Sequence, residues 1–78
     1  MINIKLFGIA REIVGNSDLK IVEPLTTVED LLSYLKSTYP EFNKLKSLLV
    51  AINDEYARET DLIKQEDELA IIPPVSGG

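Results

Sequence analysis

Thr26-Thr27-Val28-Glu29-Asp30-Leu31-Leu32-Ser33-Tyr34-Leu35-Lys36-Ser37-Thr38-Tyr39-Pro40 is the stretch on which the reading of the fold turns. Thr26 is followed three residues later by Glu29, the spacing of a capping box. Val28, Leu31, Leu32, Leu35 and Tyr39 then recur at i, i+3, i+4, i+7 and i+11, which puts one apolar stripe along a helix. The spacing predicts a single dominant helix over about residues 27–39. Pro40 cannot continue it but suits the first position of a new turn, so Phe42 and Leu45 point to a second short helix through about Ser47.

On the N-terminal side, Ile2, Ile4 and Leu6 alternate with Asn3 and Lys5, the period of a strand with one buried face, and Phe7 falls opposite Leu6. This predicts a strand over 2–7. Ile9 and Ile13 stand at helical spacing before Gly15-Asn16, a short helical connection with its stop signal. Leu19, Lys20, Ile21 and Val22 form a second strand, antiparallel to the first, ended by Glu23-Pro24. On the C-terminal side, Leu48-Leu49-Val50-Ala51-Ile52 is an unbroken apolar run, read as a central strand covered on both faces. Asn53-Asp54-Glu55 turns the chain and Tyr56-Ala57-Arg58 is a brief edge strand. Thr60-Asp61-Leu62 reads as one helical turn, Lys64 to Asp67 as an exposed loop, and Glu68-Leu69-Ala70-Ile71-Ile72 as the last strand.

The order predicts one α+β domain over 1–78, a sheet of four to five strands with one main helix packed across one face. The other face is left to polar residues or to docking, and parity or loop placement offers the apolar Phe7, Tyr56 and Ile72 for it, each of which reads equally as an ordinary edge of the core. Composition narrows the function. The chain has 78 residues, no Cys and no His, so thiolate chemistry is excluded and the commonest general base and metal ligand is missing. Thirteen acidic against 8 basic residues give a net charge of −5, which opposes nucleic acid and anionic lipid and favours a partner with a basic docking surface. Met1-Ile2-Asn3-Ile4 opens a patterned strand with no signal peptide ahead of it, and no apolar run reaches membrane-spanning length. Together with the lack of Cys in so small a domain, this points to the cytoplasm. The carboxylates Glu66, Asp67 and Glu68 read as a solvated loop and not as a metal site, because consecutive residues at a strand entry point to different sides.

The chemistry is expected in the tail, Pro73-Pro74-Val75-Ser76-Gly77-Gly78. Two glycines make a slim, unhindered tip, and the two prolines favour a stiff extended base behind it. A terminal carboxyl with a pKa of about 3.5 is ionised at neutral pH, an oxygen nucleophile toward an activated phosphate. Gly78 is therefore read as a carboxylate that another enzyme activates. With Gly at about 7% of average usage, a chain ends in Gly-Gly about once in two hundred times, so composition alone is a poor account of it.

Phe7-Gly8-Ile9-Ala10-Arg11-Glu12, Thr27-Val28-Glu29-Asp30-Leu31-Leu32, Tyr39-Pro40, Val50-Ala51-Ile52-Asn53, Asp67 to Pro74 and Val75-Ser76-Gly77-Gly78 together resemble the small, sulfur-carrier subunit of molybdopterin synthase. The resemblance spans essentially the whole chain and implies a ubiquitin-like β-grasp fold. It implies that a ubiquitin-activating-type enzyme adenylates Gly78 with ATP, and that a sulfur donor converts the adenylate to a thiocarboxylate. The tail then enters the large synthase subunit and passes sulfur to cyclic pyranopterin monophosphate. On this reading no cofactor is tightly bound, Gly78 and Gly77 form the carrier tip, and catalytic residues belong to the large subunit. Phe7, Arg11, Tyr56, Ile72, Pro73, Pro74, Val75 and Ser76 meet that partner, in an assembly of two small and two large subunits. Arg11 and Glu12 read either as a partner contact or as a solvated helix face. Two positions depart from the family's pattern: Glu66 stands where Gly is usual, which bears on the turn before the last strand, and Gly8 stands where Ala is common. A sulfur carrier for thiazole synthesis, a ubiquitin-like modifier, and a plain β-grasp interaction module with an incidental Gly-Gly end are the competing readings.

Overall fold

The computed structural model describes residues 2–74. The first strand, β1 (Ile2–Leu6), buries every second side chain, and the chain then turns at Phe7 into α1 (Gly8–Val14). Gly15 ends that helix with φ +91°, donating its N–H to the Arg11 carbonyl at 2.8 Å, a left-handed cap that Gly reaches without steric cost. The second strand, β2 (Asp18–Ile21), returns antiparallel to β1 with Ile4 opposite Leu19.

The dominant helix is α2 (Val28–Thr38), with Val28, Leu31 and Leu35 buried and Leu32 and Tyr39 half-buried. Its capping box sits one residue later than the sequence pattern placed it. Thr27 Oγ1 accepts from the Asp30 N–H at 3.2 Å, and the Thr27 N–H donates back to Asp30 Oδ2 at 3.0 Å. Thr26 adds a second backbone N–H to the same oxygen at 3.2 Å. The backbone donors of Thr27 and then Thr26 hold the Asp30 carboxyl below its ordinary pKa. Two further free N–H groups of the helix start are satisfied from afar: Val28 donates to the Asp61 carbonyl and Glu29 to that of Glu59, both at 3.0 Å. Residues 60–62 are consequently not a helical turn. Asp61 closes a turn onto Arg58, and the chain then runs extended past the helix start, with Leu62 bridged antiparallel to Thr27.

Past α2 a short 3-10 helix (Pro40–Lys44) buries Phe42, whose ring meets Tyr39 edge-on at 6.2 Å. The strands β3 (Leu49–Ile52) and β4 (Glu55–Tyr56) form a two-residue hairpin. Asn53 and Asp54 take φ of +51° and +70°, as a type I′ turn requires. The Asn53 side chain ties this turn to the next strand, donating to Asp67 Oδ1 and accepting from the Glu68 N–H, each at 3.0 Å. Asp67 uses its other oxygen to take the Lys64 N–H at 2.8 Å. Glu66 is not among the positive-φ residues, so this turn forms without the Gly usual in the family's pattern.

The last strand, β5 (Leu69–Ile72), completes a sheet of order β2-β1-β5-β3-β4. It runs parallel to β1 and antiparallel to β3. This is the β-grasp arrangement, α+β with a mixed five-stranded sheet. β5 therefore holds the centre, while β3 lies next to the edge and is not the doubly covered central strand that its apolar run predicted. Leu49 is 47% exposed. Ile2, Ile4, Leu6, Ile21, Val50, Leu69 and Ile71 pack with Ala10, Val28, Leu31, Leu35 and Phe42 in one core. At about 1.5 to 3 kcal/mol for each large side chain removed from water, this one-sided core is the main source of stability. No helix among the described residues is long and apolar enough to cross a membrane.

Candidate functional site

Strand parity builds the open face of the sheet. Since Ile4, Leu6, Val50, Leu69 and Ile71 point into the core, their neighbours Lys5, Leu49, Ala51, Ala70 and Ile72 point the other way. Register then aligns them: Leu49 stands opposite Ile72, and Ala51 lies between Ala70 and Tyr56. Leu6 is level with Ile71, so Phe7 arrives beside Ile72. The result is a shallow groove of about 410 Å³ lined by Lys5, Phe7, Ala51, Tyr56, Glu68, Ala70 and Ile72. Its floor is two alanines, and its walls are aromatic and aliphatic.

Phe7 is 50% and Tyr56 70% exposed, and Ile72 is half-buried. The structure thus brings these three residues together on the face away from α2. Arg11 is exposed on α1 and shares a smaller depression with Lys5 and Phe7, which puts two cations at one rim of the apolar patch. Glu12 lines a neighbouring hollow with Arg11, Gly15, Asn16 and Ser17. At the other rim stand Asp54 and Glu68, so the face carries charge of both signs while the chain as a whole is acidic.

Pro73 and Pro74 are half-buried where β5 ends. Val75, Ser76, Gly77 and Gly78, the remaining residues singled out in the tail, lie outside the described residues. Leu49 and Lys5 belong to the open face and were not singled out from sequence. An unbroken apolar run hides which of its members alternate outward; only pairing of Leu49 with Ile72 reveals it. No group of three or more potential metal-ligating side chains occurs among the described residues. The Asp67 carboxylate is occupied by Asn53 and Lys64.

An apolar groove with mixed-charge rims, at the end of the sheet from which the chain passes into Pro73-Pro74, suits docking. Known proteins agree. The model of the ThiS family matches residues 4–78. The molybdopterin synthase sulfur carrier subunit of Dictyostelium discoideum is 42% identical over 96% of this chain and 93% of its own length. That of Arabidopsis thaliana is 39% identical over 99% and 82%. Among solved structures, the small archaeal modifier protein SAMP1 from Methanosarcina acetivorans superposes with a TM-score of 0.76 at 31% identity, over 99% of this chain and 95% of that one. The chain belongs to the ThiS family, and it takes its place there among the sulfur carrier subunits of molybdopterin synthase.

Proposed function

We propose that this chain carries sulfur on Gly78 for a molybdopterin synthase. A ubiquitin-activating-type enzyme adenylates the Gly78 carboxylate at the expense of ATP, and a sulfur donor displaces the adenylate to leave a thiocarboxylate. The carrier then docks through its open face on the large subunit, in an assembly of two small and two large subunits. Its tail delivers the sulfur to cyclic pyranopterin monophosphate to build the dithiolene of molybdopterin. The thiocarboxylate supplies an anionic, polarisable sulfur, and confinement of the tail raises its effective concentration at the reacting carbon. Side chains that move protons come from the large subunit.

The observation that carries this reading is the placement of the groove. Phe7, Tyr56 and Ile72 gather on the face left open by the helices, and Ile72 leads directly into Pro73, so docking there delivers the tail to the same partner. The test is intact-mass analysis after incubation with ATP, an adenylating partner and a sulfur donor. The expected product has one oxygen at Gly78 exchanged for sulfur. An unmodified terminus, with a partner shown to be active on another carrier, refutes it.

The likeness to SAMP1 favours one alternative, attachment of Gly78 to lysines of other proteins as a modifier. That reading predicts Gly-Gly remnants on lysine side chains after proteolysis of cell extracts. The carrier reading predicts thiocarboxylate on free chain instead.

A further inference from the structure

The root of the tail is held in an unusual way. Gly8, the first residue of α1, has φ +54°, and a Cβ built on it would stand 3.3 Å from Pro73 Cγ. Two separate demands meet at this one residue. The left-handed φ disfavours side chains with a Cβ, and the approach of the proline ring leaves less room than an ordinary carbon contact, so a side chain would force a few tenths of an ångström of movement.

Resting on the carrier reading, we infer that Gly8 is a positioning residue for sulfur transfer: by lacking a Cβ it lets Pro73 seat against the start of α1 and so fixes the direction in which the tail leaves the sheet. Pro73 transmits that direction because the following Pro74 also has φ locked near −65°, and successive prolines favour a stiff extended path. Displacement at Pro73 is therefore passed on to Pro74, from which the tail departs. The contact lies between α1 and the residue after β5, outside the hydrogen-bonded ladder and beside Phe7, so the docking patch and the tail root are registered to each other by the same turn.

The experiment compares wild type, Gly8→Asn, Pro73→Ala and the double variant. Asn tolerates the left-handed region far better than most residues, so Gly8→Asn isolates the Cβ contact from backbone strain; Gly8→Asp serves equally should the Asn variant fold poorly. Thiocarboxylated carrier is mixed with saturating large subunit, and single-turnover transfer to the pterin precursor is measured beside affinity and thermal unfolding. Misplacement of a reacting group by about 1 Å can cost about a hundredfold, so a few tenths predict a loss of about three- to tenfold in the saturated rate. Affinity for the large subunit should change little. In the Pro73→Ala background, where Cγ is gone, the Gly8→Asn loss should shrink toward nothing. Wild-type transfer by Gly8→Asn, an equal loss in both Pro73 backgrounds, or a loss confined to affinity overturns the inference. Absence of transfer by wild type overturns the carrier reading and this inference with it.

Discussion

Phe7→Ala should weaken docking on the large subunit without unfolding the carrier. A Phe side chain buries about 150 to 250 Å² when fully covered. Phe7 is 50% exposed in the free chain, so about 100 Å² remains for a partner to cover. At about 25 cal/mol per Å² that is about 2.5 kcal/mol, and the loss falls within the range of about 1 to 3 kcal/mol found for interface anchors. A tenfold change in Kd corresponds to about 1.4 kcal/mol, so Kd should rise by up to about sixtyfold. The half of the residue already packed on the body costs stability as well, at most about 2.5 kcal/mol by the same coefficient. Binding should accordingly be titrated calorimetrically well below the unfolding midpoint, with circular dichroism confirming the fold. Val22→Ala is the control, because Val22 is 77% exposed beyond the edge strand β2 and outside the groove. Unchanged affinity for Phe7→Ala, or an equal loss for Val22→Ala, would refute the assignment of the open face as the docking surface.

Thr27→Ala removes the hydroxyl that caps α2 and should cost about 1 kcal/mol, lowering the midpoint of thermal unfolding by about 4 to 8 °C in a domain of this size. The Asp30 carboxyl is held below its ordinary pKa, so its contribution is full above the unfolded value near 3.9 and is lost as pH falls through the folded value. The midpoint difference between wild type and Asp30→Asn should therefore be largest above about pH 4 and fade in more acidic buffer; a constant difference down to about pH 2 refutes it. Asn53→Ala removes two side-chain hydrogen bonds and puts Ala, which tolerates the left-handed region less well than Asn, at φ +51°. It should cost about 2 kcal/mol, or about 10 °C in the midpoint. A chain extended by one Ala after Gly78, or carrying Gly77→Val, should melt like wild type and lose sulfur transfer; full transfer by the extended chain, with no trimming detectable by mass, removes the carrier mechanism.

What sequence reveals here is one-sided burial. Ile2, Ile4 and Leu6, and likewise Val28, Leu31 and Leu35, repeat at the period of their element because each presents one face to the same core. The capping box was legible as a kind of signal and misplaced by one residue, since two threonines precede two acids. The choice between them is tertiary: the Thr26 carbonyl takes the Ile63 N–H at 2.8 Å, while Asp61 and Glu59 receive the next helical donors. Residues 60–62 misread for the same cause, because their conformation is set by pairing with a distant helix start and not by their own propensity. Leu49 was hidden within an apolar run whose alternation shows only through its register with Ile72. Phe7, Tyr56 and Ile72 were legible as a possible face because parity needs no partner to be counted, but their meeting in one groove depends on β5 passing between β1 and β3.

The body and the tail divide the work of a carrier along a physical boundary. Among the described residues the core reaches no further along the chain than Ile71, and the carrier reading expects a chemical change at Gly78 to leave that core as it is. By linkage, a modification that makes no difference to the folded contacts leaves folding stability unchanged and cannot alter the shape of the docking face. The groove therefore supplies nearly the same binding energy whether Gly78 bears a carboxylate, an adenylate or a thiocarboxylate. Binding energy common to loaded and spent carrier brings the partners together but does not lower the barrier to transfer. Discrimination between the states has to arise where the tail is read, inside the enzymes that receive it, and spent carrier must compete with loaded carrier for the same surface of the large subunit. Docking strength beyond what assembly requires would then slow exchange of one for the other. A modest groove floored by Ala51 and Ala70, with the direction of the tail set separately at Gly8 and Pro73, is consistent with that balance.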